Sequence, residues 1–109
     1  MKNRNSNPNL QSLANINKVI HEPARLAVLA QLYVLESADF LFLMNRIGLT
    51  QGNLSSHITR LETEGLITVK KGFVGKRPHT LVGLTDRGRK AFADYILDMK
   101  ALFVGLSAL

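Results

Sequence analysis

The tightest constraint on this chain is a three-residue junction, Gly48-Leu49-Thr50, set between two stretches that both read as helices. The upstream stretch runs from about Ala38 to Ile47, with Ser37 available to cap its start and Gly48 placed where a left-handed residue would end it. The downstream stretch takes Thr50 as its N-cap and runs to Glu64, with Gly65 as its stop. Leu54, Ile58 and Leu61 recur there at spacings of four and three, a stripe that docks one side on a core. Two helices joined this tightly, with a polar face on the second, are the sequence form of a helix-turn-helix.

The rest of the chain is read outward from that junction. At 109 residues there is room for one compact core, so a single domain is expected over residues 10–109, preceded by a polar, Asn-rich arm over residues 1–9. Leu10, Leu13, Ile16 and Ile20 follow a helical period that ends before Pro23, which predicts an amphipathic helix over 10–20. Ala24 to Leu35 is apolar almost all round and is expected to be the buried central helix, with Pro23 in its first turn. After Gly65 the period changes. Leu66–Lys71 and His79–Leu84, separated by Gly72, Gly75 and Pro78, predict a β-hairpin. Thr85 then caps a last helix over residues 86–109. The expected fold is mainly α with a small β-hairpin wing (α+β): a winged helix-turn-helix with N- and C-terminal dimerisation helices.

With the Leu54/Ile58/Leu61 stripe facing inward, about 100° per residue puts Gly52, Asn53, Ser56, Thr59, Arg60 and Thr63 on the outward arc, flanked by Gln51 and His57. All are small or polar, as a helix entering a major groove requires, because bulky apolar side chains would hold it off the base edges. Gly52 is costly in a helix by up to ~1 kcal/mol, which points to close backbone approach or tight packing there. Lys70, Lys71, Lys76 and Arg77 lie on or beside the hairpin turn, where they can reach phosphates or a minor groove. Residues 50–90 hold eight basic side chains against three acidic ones, so this window carries five of the six net positive charges. The charge sits with the motif, and the expected partner is double-stranded DNA.

The runs Pro23-Ala24-Arg25-Leu26, Leu49 through Ile67, Pro78-His79-Thr80 and Leu84-Thr85-Asp86-Arg87-Gly88-Arg89 carry a resemblance. The chain resembles the winged-helix transcriptional regulators related to the MarR and ArsR families over about residues 20–97. Its most specific parts are the Leu-Glu-x-x-Gly-Leu-Ile segment leaving the recognition helix and the Leu-Thr-Asp-Arg-Gly-Arg segment opening the last one. The resemblance implies a homodimeric DNA-binding regulator. It also implies Gln51, Asn53, Ser55, Ser56, His57 and Arg60 as DNA contacts, with Lys76 and Arg77 on the wing. Metal-sensing members of the ArsR group carry cysteines or dense His/Asp sets, and this chain has no cysteine.

Other chemistry is not expected. His21, His57 and His79 lie far apart without metal-ligand spacing, so no metal or other cofactor is expected. Ser55, Ser56 and His57 are consecutive helical residues pointing about 100° apart, with no nucleophile turn beside them, so the chain is expected not to be an enzyme. Phe73 and Val74 are read as strand-end residues that pack back on the domain rather than as minor-groove wedges. No uninterrupted apolar run is long enough to span a bilayer, and the absence of disulfides fits a cytoplasmic protein without a membrane partner.

The last helix carries Phe92, Tyr95, Ile96, Met99, Leu102, Phe103 and Leu106 along one side. That stripe is ~21 Å long at about 1.5 Å per residue, more than a small winged domain can cover. The dimer interface is therefore expected to combine Tyr95, Ile96, Met99, Leu102, Phe103 and Leu106 with Leu10, Leu13, Ile16 and Ile20. A two-fold dimer implies a (pseudo)palindromic operator, with half-sites about 34 Å or a multiple apart. At this length an effector pocket would have to form at the dimer interface, and the sequence names no effector. The leading expectation is a sequence-specific repressor. Two rivals stay open: a winged-helix protein-interaction module, and a sequence-neutral architectural DNA-binding protein.

Overall fold

The computed structural model describes residues 14–108; the arm expected over 1–9 and the expected interface residues Leu10 and Leu13 lie outside them. The described elements are α1 (Pro23–Leu35), β1 (Ser37–Asp39), α2 (Phe40–Ile47), α3 (Gln51–Thr63), β2 (Ile67–Val74), β3 (Arg77–Leu84) and α4 (Asp86–Ser107). The three strands form one antiparallel sheet in the order β1-β3-β2. This is a winged helix: a helical body from which the β2–β3 hairpin projects.

The core is built from the stripes that periodicity predicts. Val28, Leu29 and Leu32 of α1, Leu43 of α2, and Leu54, Ile58 and Leu61 of α3 meet Leu66, Ile67 and Val82 of the sheet and Phe92 and Tyr95 of α4. Burying a side chain of this kind contributes ~1.5–3 kcal/mol, so the cluster fixes how α3 sits on the body. The junction behaves as expected. Gly48 ends α2 with φ 81°, its N–H bonding the Met44 carbonyl, and Thr50 caps α3 by accepting from the Asn53 N–H at 3.2 Å.

Three expectations are corrected. The helix expected over Leu10–Ile20 does not continue through 15–22, which is a series of turns. The Asn17 side chain accepts from the backbone N–H groups of Val19 and Ile20 at 3.0 and 3.1 Å, a local bond that competes with helix formation. The turns bury Ile16 and Ile20 in the chain's own core, so neither is left to serve a dimer interface. Second, Ser37 is not a helix cap. It opens β1, a strand the sequence did not reveal, and Asp39 caps α2 by accepting from Leu41 and Phe42 N–H. The route into β1 passes through Glu36, a non-glycine residue at φ 68°, whose carbonyl accepts from Leu84 N–H at 2.8 Å.

The third correction concerns the wing. Gly72 and Pro78 lie inside the strands, and the turn is only Gly75-Lys76, with Gly75 at φ 65° in the first position as a type II′ turn demands. A two-residue turn closes on a hydrogen-bonded pair, here Val74–Arg77, so the next pair, Phe73–Pro78, exchanges no ladder bonds. The missing N–H of Pro78 then faces the open edge, where it costs nothing. The strands reach past the body, and Phe73 and Val74 do not pack back: they are 73% and 63% exposed.

Candidate nucleic-acid interface

The outward face of α3 is exposed along its length, through Gln51, Gly52, Asn53, Ser55, Ser56, Thr59 and Arg60. None of the described residues lies within 4 Å of where a Cβ on Gly52 would stand, so packing among them does not explain that glycine. The backbone there is open to close approach from outside. On one flank Gln51, Ser55, Thr59 and Glu62 line a groove of about 260 Å³ whose other wall is Lys71 and Thr80 of the sheet. This groove fixes the wing's orientation: Lys71 faces α3, whereas Lys70, paired with Leu81, points to the opposite face of the hairpin. Lys70, Lys71, Lys76 and Arg77 are all exposed and have no carboxylate partner among the described residues. Arg60 is 53% exposed and held by Glu64 at 3.6 Å, an (i, i+4) pair of the exposed kind that contributes only ~0.3–0.5 kcal/mol and is easily given up.

His57 stands apart from the other expected contacts. It is half-buried on the other flank, with Nδ1 3.1 Å from an Arg25 guanidinium nitrogen and 3.8 Å from Glu22. Arg25 Nε donates in turn to the Val19 carbonyl at 2.6 Å. Glu22 caps α1, accepting from Arg25 N–H at 2.8 Å. That backbone bond, helped by the charges of His57 and Arg25 and opposed by burial, holds the Glu22 carboxyl below its ordinary value. Its contribution to stability is therefore present above the ordinary carboxylate range and lost as pH falls through the lowered value. The cluster ties α3 to the turns at 17–22, and sequence reasoning missed it because Glu is an uncommon N-cap and Arg25 lies 32 residues from His57.

A second missed clamp holds the sheet. His79 Nε2 on β3 meets Asp39 Oδ2 at 2.5 Å, while Oδ1 of the same carboxylate caps α2. The spacing of Asp39 directly before the apolar run Phe40–Leu43 was the available signal. Among the described residues no group of three His, Asp or Glu is placed to hold a metal ion, and no helix is long and apolar enough to cross a membrane.

Residues 24–103 match the family described as winged helix DNA-binding domain. The chain belongs to that family. An uncharacterised protein of Methanocaldococcus jannaschii is 36% identical over 85 residues, spanning 78% of this chain and 92% of that one. The structure of a transcriptional regulator homologue from Pyrococcus horikoshii superposes with a TM-score of 0.82 at 34% identity, over 88% of this chain and 97% of that one. The YusO protein of Bacillus subtilis superposes with a TM-score of 0.75 at 27% identity, over 95% and 72%. This winged helix DNA-binding domain thus shares its architecture with transcriptional regulators, and α3 occupies the recognition-helix position of the helix-turn-helix.

The expected dimer residues divide. Tyr95 and Leu102 are buried within the chain, and Met99 packs against its core, so these three are corrections to the interface expectation. Tyr95 stacks on Phe92, its hydroxyl lies 2.8 Å from His21 Nδ1, and burial pushes its pKa up. Ile96, Phe103 and Leu106 remain exposed, joined by Leu97 and Val104, which periodicity did not single out.

Proposed function

We propose that this chain is a homodimeric, sequence-specific transcriptional regulator of the MarR/ArsR kind. It acts in the cytoplasm as a repressor on a (pseudo)palindromic duplex, without enzymatic activity or a bound cofactor. The observation that carries this reading is the shared orientation of two surfaces. The small, polar face of α3 and the Lys71 face of the wing open onto the same side of the molecule, and both belong to the segment 50–90 that carries five of the six net charges. α3 enters the major groove, and the wing follows the flanking backbone or minor groove.

The dimer rests on a second observation. The radius of gyration is 16.8 Å, against about 13 Å for a compact chain of 100 residues, and the distal half of α4 carries exposed Leu97, Phe103, Val104 and Leu106. An apolar stripe of that length needs a partner, and a second copy presenting the same helix supplies one by two-fold symmetry.

The test is selection of bound duplexes from a random pool, followed by titration at several salt concentrations. A dyad-symmetric motif and a steep loss of affinity with salt are expected. A pool that returns no motif would favour architectural binding, and absence of binding at low salt would favour a protein-interaction module. Arg60→Ala should lose ~1–3 kcal/mol on the selected duplex and much less on random DNA, since a guanidinium can bond a guanine edge bidentately. Equal loss on both would make Arg60 a phosphate contact. Replacing Lys76 and Arg77 together by Ala should weaken all duplexes alike and lower the salt slope by up to about two phosphate contacts. An unchanged slope would place the wing outside the interface.

A further inference from the structure

Basic residues explain how the wing reaches a duplex, but not why its tip is apolar. Phe73 is 73% exposed although Lys70, Lys71, Lys76 and Arg77 surround it in sequence. The last pair of the hairpin face that carries it to reach the core is Val69–Val82, with Val82 fully buried and Val69 partly so. Phe73 lies four residues further out, ~13 Å along the strand at about 3.3 Å per residue, beyond reach of the body's core. The register also says which way it points. Val69, Lys71 and Phe73 alternate onto one face, and Val69 and Lys71 line the groove beside Gln51, Ser55 and Thr59 of the recognition helix. Val74 points to the opposite face, with its partner Arg77. Pro78, the cross-strand partner of Phe73, sits on the same face, leaving a rigid apolar pair on the side where α3 presents its contacts.

We infer that Phe73 is an apolar wedge that enters the minor groove beside the recognition-helix contact and partly unstacks a base step, kinking the duplex. The inference rests on the DNA-binding reading above and adds a specificity to it. An inserted ring prefers steps that unstack cheaply, so binding depends on a pyrimidine–purine step, TA or CA, beneath the wing. The lysines and arginine around the ring hold the phosphates on either side and keep the groove against it. An exposed aromatic ring among cations would also suit an anionic lipid surface. The shared face with α3 favours DNA, because a tip bound to lipid has no need of alignment with a recognition helix.

The experiment uses the full chain and duplexes it selects from a random pool. Binding is read by fluorescence anisotropy, and bending by energy transfer between dyes on the duplex ends. The wild-type protein should bend the duplex by about 20–90°. Phe73→Ala should straighten it and weaken binding about tenfold, the scale of one lost stacking contact, with the salt slope unchanged because no charge is removed. Phe73→Leu should retain most of the bend, and Val74→Ala all of it. Moving the TA or CA step out from under the wing should weaken the wild-type chain but not Phe73→Ala. Because the ring is exposed, each variant should keep the wild-type circular dichroism and thermal midpoint. A wild-type chain that binds with a steep salt slope while Phe73→Ala keeps its affinity and bend would overturn the wedge and leave the DNA-binding reading standing. Failure of the wild-type chain to bind any duplex at low salt would overturn both, before any substitution is made. Loss of binding to phosphatidylserine vesicles in Phe73→Ala, with the DNA bend intact, would also overturn the wedge and make the tip a lipid contact.

Discussion

Gly88→Ala should destabilise the fold by about 3 kcal/mol, the upper end of overpacking costs and a large share of the ~5–15 kcal/mol by which small domains are stable. A Cβ added at Gly88 would stand 2.0 Å from the Leu66 carbonyl oxygen, and 2.9 Å from both the Leu66 carbonyl carbon and Leu84 Cδ1. Two of those three atoms are backbone, so no rotamer change relieves the clash. The neighbouring bonds prevent the helix from backing away. Thr85 Oγ1 donates to the Gly65 carbonyl at 2.7 Å and accepts from Gly88 N–H at 2.9 Å, while Thr85 N–H donates to the Leu66 carbonyl at 3.1 Å. The Leu-Thr-Asp-Arg-Gly run is thus the joint where α4 is fastened against the exit from the recognition helix. A lower urea midpoint with unchanged slope is the expected signature. Gly52→Ala is the contrasting control: with no described residue within 4 Å, it should leave stability unchanged or slightly raised. Equal midpoints for Gly88→Ala and the wild type would mean that the start of α4 is not held as tightly as this joint implies.

What the sequence revealed follows from where the deciding interactions lie along the chain. The recognition helix was legible because its stripe, its N-cap and its stop all lie within sixteen residues, Thr50 to Gly65. β1 was not, since three residues carry no period and Ser-Ala-Asp has little strand propensity. Only pairing with β3, more than forty residues on, makes it a strand. The turns at 15–22 defeated an apolar pattern that suited a helix equally well, because the Asn17 side chain supplied a competing local bond. The polar face of α3 was foreseen correctly as exposed, but His57 was not separable from it. Helical spacing puts its ring on the flank, but the Arg25 contact that half-buries it there is one that no local spacing encodes. Phe73 departs from the sequence expectation for a physical reason: an exposed ring is unfavourable in water, which favours packing it inward. The short turn at Gly75-Lys76 lengthened both strands and removed that option.

Phe103→Lys combined with Leu106→Lys should convert the protein to a monomer and weaken binding to a selected, dyad-symmetric duplex by ~10²-fold or more. The two side chains are 56% and 49% exposed on the last turns of α4, and neither belongs to the core formed by the described residues. Met99 would be the wrong choice: it packs against that core, and its loss would mix unfolding with dissociation. Across a two-fold interface each substitution appears twice, and burying unpaired ammonium groups in an apolar contact is prohibitively costly. Each monomer then holds one recognition helix and one wing. The second half-site contributes only through the high effective concentration that dimerisation creates, so affinity for a single half-site should be nearly unchanged while affinity for the full duplex collapses toward it. Sedimentation at micromolar concentration with thermal denaturation separates the outcomes. A dimeric wild type and a folded, monomeric variant support the interface. A wild type that already sediments as a monomer would rule it out and leave the exposed face of α4 to a different partner.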